Sequence, residues 1–104
     1  MKIIDKINDK KVLLSFEVFP PKKDADITSV LETVGKLCVH NPDYISVTYG
    51  AGGGTTKNTV LIADYIENKL KKTALAHLTC VLATPEEISA TARQLAQKGI
   101  KNIL

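Results

Sequence analysis

The sequence predicts an α/β fold built from parallel βα repeats, and three observations predict it. Strand-like and helix-like stretches alternate along the whole chain, which calls for parallel strands joined by right-handed crossovers. The strands recur with a period of one βα unit, since Glu17 to Thr48 is 31 positions and Thr48 to His77 is 29. Each strand also has one apolar face, while the other carries Ser15 and Glu17, then Ser46 and Thr48, then His77 and Thr79. A doubly wound sheet covers both faces with helices and favours near-continuous apolar strands. In a barrel the second face points inward, and its carboxyl end is where active sites sit. The polar phase therefore favours a barrel over a doubly wound sheet. Residues 1–104 would supply about three and a half of the barrel's units, an incomplete domain when a whole barrel takes about 250 residues.

Each element has its own signal. Residues 1–11 are polar and predict a lead-in with some helix. The first strand is expected at 12–19, stopped by Pro20 and Pro21, which cannot donate to a sheet ladder. Asp24 or Asp26 can cap the first long helix. Its apolar positions Ile27, Val30, Leu31, Val34, Leu37 and Cys38 step by three and four, and Asn41-Pro42 ends it. The second strand is expected at 44–48, followed by a glycine-rich loop. Thr55 or Thr56 can cap the next helix, with Ile62, Ala63 and Ile66 inside and Lys69, Lys71 and Lys72 at its negative end. The third strand is expected at 74–80. Thr84-Pro85-Glu86-Glu87 then places a capping hydroxyl, a first-turn proline and a glutamate at the capping-box position. Ile88, Ala92, Leu95 and Ala96 form the stripe of that helix, Gly99 closes it, and Ile100 falls where a Schellman cap makes its apolar contact. Residues 101–104 begin a fourth strand.

Composition narrows the function. The chain is 44% hydrophobic and 24% charged, a globular balance. A net charge of +3 carried by scattered lysines gives no case for nucleic acid. No apolar run reaches the roughly 18 residues of a membrane span, and the first residues lack a signal-peptide core. Cys38 and Cys80 make neither a disulfide framework nor, with His40, a metal motif, so reduced thiols in packed positions and a cytoplasmic protein without a metal are expected.

The candidate site is Glu17, Thr48 and His77, which the repeat puts at equivalent strand ends. Glu17 in an apolar strand is either a solvent-facing group on an edge strand or a general acid in a cleft. His77 and Thr48 taken singly read as a satisfied core histidine and a strand former. In phase with Glu17 they read as a site. The loop from Tyr49 through Gly50 to Gly54 has neither the third glycine of a dinucleotide fingerprint nor a Walker pattern. It suits either a tight turn or backbone brought close to a ligand.

Three stretches carry a resemblance: Ser15 to Lys22 (SFEVFPPK), Ser46 to Gly53 (SVTYGAGG) and His77 to Cys80 (HLTC). In order and spacing they resemble the 5,10-methylenetetrahydrofolate reductase family, over essentially all of residues 12–104. The resemblance implies the N-terminal part of a flavin-binding TIM (β/α)8 barrel that reduces methylenetetrahydrofolate to methyltetrahydrofolate, with hydride from NAD(P)H passed through FAD, in one-carbon metabolism and methionine synthesis. It implies Glu17 as the general acid on the folate's bridging nitrogen, with a raised pKa from an apolar cavity. It implies Thr48 and His77 as flavin contacts, and Tyr49 and Gly50 in the loop beside them. The arginine and aspartate of the family's next loop have no counterpart here, so this chain alone is expected to be inactive. Another flavin barrel, similar to proline dehydrogenase, and a non-catalytic βα module are the competing readings. A homo-oligomer is expected, because an unclosed sheet leaves edges to pair.

Overall fold

A computed structural model of the chain describes residues 2–9, 12–49, 56–81 and 83–104. The elements run α1 (Ile3–Asp9), β1 (Ser15–Val18), α2 (Ile27–Leu37), β2 (Tyr44–Val47), α3 (Thr56–Asp64), β3 (Ala74–Ala76), α4 (Pro85–Gln97) and β4 (Asn102–Ile103). Short 3₁₀ turns at Asp24–Asp26 and Cys38–His40 flank α2, and a π-helical turn at Tyr65–Lys69 extends α3. The four strands form one parallel sheet in the order β1-β2-β3-β4, so β1 and β4 are its edges. The α/β alternation and the parallel order are as the sequence predicts; four strands make an open sheet, and closure into a barrel is a further step.

The apolar pattern decides which face is covered. Val18, Ile45, Val47, Ala74 and Ala76 point one way and are buried. Against them pack Val34 of α2, Val60, Ile62 and Ala63 of α3, Ile66 of the π turn, and Leu95 of α4. The other predicted positions of α2, Ile27, Val30, Leu31, Leu37 and Cys38, border the same cluster. This is the main source of stability, at about 1.5–3 kcal/mol for each fully buried aliphatic side chain. The Ala96 position is a correction: it is exposed, and the inner stripe of α4 is Ile88, Ala92 and Leu95. Leu95 already fills the contact at that end, and the next residue round the helix turns away.

Helix ends follow local chemistry where that chemistry has no competitor. Thr84 Oγ1 accepts from the Glu87 N–H at 3.2 Å with Pro85 at the first position. At the other end Ile100 N–H donates to Leu95 O and Gly99 N–H to Ala96 O, each at 3.0 Å. Gly99 has φ +76° and Ile100 is buried, completing a Schellman cap. The start of α2 differs from expectation. Asp26 occupies the cap position without a side-chain bond, and Asp24 accepts from Asn58 Nδ2 at 2.9 Å and pairs with Lys57 Nζ at 3.0 Å. A charged partner across the loop outcompetes a local backbone N–H. Thr55 and the Thr56 side chain, the expected caps of α3, lie outside the described residues. Strands also end early. The stretches expected at 12–19 and 74–80 pair only over Ser15–Val18 and Ala74–Ala76, because β2 offers a ladder of four residues. Cys80 is exposed, not packed, while burial raises the thiol pKa of half-buried Cys38 above its usual range.

Candidate functional site

The face of the sheet turned away from α2, α3 and α4 carries the polar phase. Glu17 of β1 is paired in register with Ser46 of β2, and Ser46 with Leu75 of β3. His77 follows β3 by one residue, and its N–H donates to Val47 O at 3.0 Å, holding it against the end of β2. Two residues past Leu75 is the same face. The imidazole therefore leans diagonally back over Ser46.

The result is a close polar cluster. Ser46 Oγ lies 2.7 Å from His77 Nε2 and 3.3 Å from Glu17 Oε1, and His77 Nε2 lies 3.6 Å from the same carboxylate oxygen. Their exposures grade from inside to outside: Ser46 is buried at 6%, the His77 side chain is 22% exposed and that of Glu17 52%. The three border a groove of about 350 Å³ with Ser15, Phe16, Tyr44, Leu75 and Leu104. The expected apolar cavity around Glu17 is not what these elements build. Glu17 stands on edge strand β1, where no helix or further strand among the described residues covers its outer side.

Thr48 and Tyr49 continue β2 toward the glycine loop and are half-buried. Thr48 is held by its backbone: its N–H donates to Val18 O and its carbonyl accepts from buried Thr59 Oγ1, both at 3.0 Å. The equal-repeat expectation is corrected here. Thr48 and His77 are level with each other, but Glu17 is level with Ser46, two residues earlier. The ladder steps by 29 residues, from Glu17 to Ser46 and from Ser46 to Leu75, so the 31 positions from Glu17 to Thr48 overshoot it by one pleat. Gly50 lies outside the described residues. Ser46 is the residue that sequence reasoning missed. It shares a face with Thr48, and a 29-residue step from Glu17, the same as that from Thr48 to His77, leads to it.

A carboxylate, a hydroxyl and an imidazole in contact can store, orient and pass a proton. They do not form a nucleophilic triad, because there the acid holds the imidazole edge opposite the serine. Here Glu17 and Ser46 both face Nε2. Beside the cluster, Asp24 holds the start of α3 to the loop after β1. The Asn58 amide, with Lys57, keeps the Asp24 carboxyl pKa below its usual range. That clamp ties the 3₁₀ turn before α2 to the first turn of α3. No described helix is long and apolar enough to cross a membrane.

A family model described as methylenetetrahydrofolate reductase matches residues 2–104. Curated relatives agree. The 5,10-methylenetetrahydrofolate reductase of Buchnera aphidicola (subsp. Schizaphis graminum) is 38% identical over 103 residues, covering 99% of this chain and 35% of the relative. That of Escherichia coli strain K12 is 34% identical over 94 residues, covering 90% of this chain and 32% of the relative. A probable methylenetetrahydrofolate reductase (NADH) of Oryza sativa subsp. japonica is 33% identical over 108 residues, covering 100% of this chain and 18% of the relative. The chain thus spans 35% or less of the length of each of these relatives.

Proposed function

The chain belongs to the methylenetetrahydrofolate reductase family, and from that premise we propose that it serves the FAD-dependent reduction of 5,10-methylenetetrahydrofolate to 5-methyltetrahydrofolate with NAD(P)H as donor. The observation that carries the reading is the placement of Glu17. It stands at the carboxyl end of β1 on the face turned away from α2, α3 and α4, reachable from the groove and in contact with Ser46 and His77. Glu17 would deliver a proton to the bridging nitrogen of the folate, opening the five-membered ring to an iminium that accepts hydride. Delivery needs no movement of the strand, since the carboxylate already faces the open side.

The residues present suit a flavin. The imidazole of His77 and the half-buried Thr48 and Tyr49 offer hydrogen-bond partners to ring heteroatoms, and Gly50 is the further flavin contact we propose. The groove beside Glu17 leaves room for a flat ring system. When bound, FAD supplies a two-electron carrier between nicotinamide and folate. His77 and Thr48 would hold it, and Glu17 would act on the substrate. We read residues 1–104 as the first βα units of the barrel, inactive by themselves and self-associating through the β1 and β4 edges. The activity belongs to cytoplasmic one-carbon metabolism leading to methionine.

The test uses the full-length gene product. Folate-dependent oxidation of NADH or NADPH by a protein purified with flavin absorbance is the expected result. Flavin without folate dependence would favour the proline dehydrogenase-like alternative. Absence of both would favour a non-catalytic module.

A further inference from the structure

Ser46 is the most buried member of the cluster, and its hydroxyl is hydrogen-bonded to both others. We propose that Ser46 is a positioning residue that holds Glu17 and His77 in one hydrogen-bonded chain and passes protons between them. The proposal rests on the folate-reduction reading for its catalytic consequence, but not for its geometry.

The proton count fixes the direction of the chain. A hydroxyl has one proton to donate, and an ionised carboxylate only accepts. With Glu17 ionised, Ser46 Oγ–H points to Glu17 Oε1, and Oγ must accept from His77 Nε2–H. When Glu17 carries the acid proton, the chain can reverse: Glu17 donates to Oγ, and Oγ–H points to a bare Nε2. Passage from an imidazolium to the carboxylate breaks the Nε2–H bond and forms an Oγ–H bond. The original Oγ–H bond breaks as the Glu17 O–H bond forms. Imidazolium and carboxylate become neutral imidazole and carboxylic acid, with nothing gained or lost. A general acid that has given its proton to substrate is thereby recharged from the interior side of the site.

The distances grade the chain. The 2.7 Å contact to His77 is a full hydrogen bond, whereas 3.3 Å to Glu17 exceeds the usual hydroxyl–oxygen range. Ser46 and His77 are thus the fixed pair, and the half-exposed Glu17 swings to meet substrate and back. Among the described residues, Tyr44 of β2 is the other titratable side chain bordering this groove; β3 contributes Leu75, and Leu104 follows β4.

The experiment uses the flavin-loaded full-length protein with Ser46→Ala, Ser46→Cys and Ser46→Thr, and Ser46→Ala combined with Glu17→Gln. Losing a hydrogen bond to a charged group should lower kcat for folate reduction about 10- to 100-fold with KM little changed. Ser46→Thr should recover most of it, and Ser46→Cys, a weak donor that fills the same space, should stay slow even where Ser46→Ala fails to fold. Ser46→Ala should cost nothing more once Glu17→Gln is present. The ring ¹⁵N signals of His77 should show Nε2 protonated in the parent protein at neutral pH and a changed tautomer balance in Ser46→Ala or Ser46→Cys. A kcat within twofold of the parent, a loss that adds to that of Glu17→Gln, or unchanged ring signals would each overturn the proposal. Should the parent protein fail to reduce methylenetetrahydrofolate, the functional reading falls, and the ring signals alone still decide the role of Ser46.

Discussion

The two faces of the sheet obey different rules, although the same residues build both. On the helix-covered face the buried strand residues are aliphatic or alanine, Val18, Ile45, Val47, Ala74 and Ala76, with Phe16 partly buried and Ile103 exposed on the edges. On the opposite face the alternate residues are Ser15, Glu17, Ser46, Leu75 and His77, and exposure rises from 6% at Ser46 to 52% at the Glu17 side chain. The pleat separates packing from chemistry along a single strand, one residue apart. Neighbours such as Ile45 and Ser46 should therefore fail in different ways when changed, and that difference can be measured.

The largest effect should come from the open face. Glu17→Gln in the full-length protein keeps the shape of the side chain and removes its ability to release a proton. Folate reduction should fall about 10²–10⁴-fold while bound flavin and the thermal midpoint hold. Turnover within a few-fold of the parent would remove Glu17 from the acid role. Ile45→Ala, on the other face, should do the opposite. Ile45 is 0% exposed inside the cluster, and large-to-small changes there cost about 2–5 kcal/mol. Denaturant unfolding should show that loss, while activity per folded, flavin-loaded molecule stays near that of the parent. If Ile45→Ala silences the folded protein without destabilising it, the separation of faces is wrong.

His77 tests the border between the faces. It touches the cluster through Nε2, and its backbone N–H ties β3 to β2. His77→Ala keeps the backbone bond and removes the ring, so flavin retention should weaken more than apo-protein stability. Apo thermal midpoints measured beside flavin content decide it. A large drop in the midpoint with flavin affinity intact would make His77 a core residue.

The covered face was far more legible in the sequence than the open one. The stripe of α2, the cap at Thr84 and the Schellman turn at Gly99 and Ile100 are set within a few residues, and the chain carries their signals locally. Ala96 escaped because a helix stripe narrows where one large residue, Leu95, fills the contact. The open face depends on register, which steps by 29 residues from Glu17 to Ser46 to Leu75 and is set by the length of each βα unit, not by a local signal. Glu17, Thr48 and His77 were expected level, yet the ladder pairs Glu17 with Ser46 and so made Ser46 the bridge. The exposure of Glu17 was also unreadable, since it depends on what lies beyond an edge strand. The cap expected of Asp24 or Asp26 was lost to Asn58 and Lys57, which are distant in sequence and close in the fold.

The smallest effect expected lies behind the covered face, where α3 meets α4, and concerns pH. Asp64 accepts from Asn68 Nδ2 at 2.6 Å and from Lys98 Nζ at 3.2 Å. The Asn68 amide first, and Lys98 after it, keep the Asp64 carboxyl pKa below its ordinary value of 3.8 against an opposing contribution from burial. A carboxyl depressed in the folded state stabilises the fold above its unfolded pKa, and that stability is lost as pH falls through the folded value. The loss therefore begins near pH 4 and continues below it, with nothing changing between about pH 6 and 8 from this group. Asp64 is about a third exposed, so solvent screening holds the contribution below about 1 kcal/mol. Asn68→Ala removes the leading cause and also the bond from Asn68 Nδ2 to Lys98 O at the end of α4. Thermal midpoints from pH 6 down to pH 2.5 should fall less steeply in Asp64→Asn than in the parent, and folate reduction at neutral pH should be the same in both. An unchanged acid slope would show that the Asn68 and Lys98 contacts give Asp64 no advantage over the unfolded chain. A loss of activity at neutral pH would show that this side of the sheet is not insulated from the chemistry on the other.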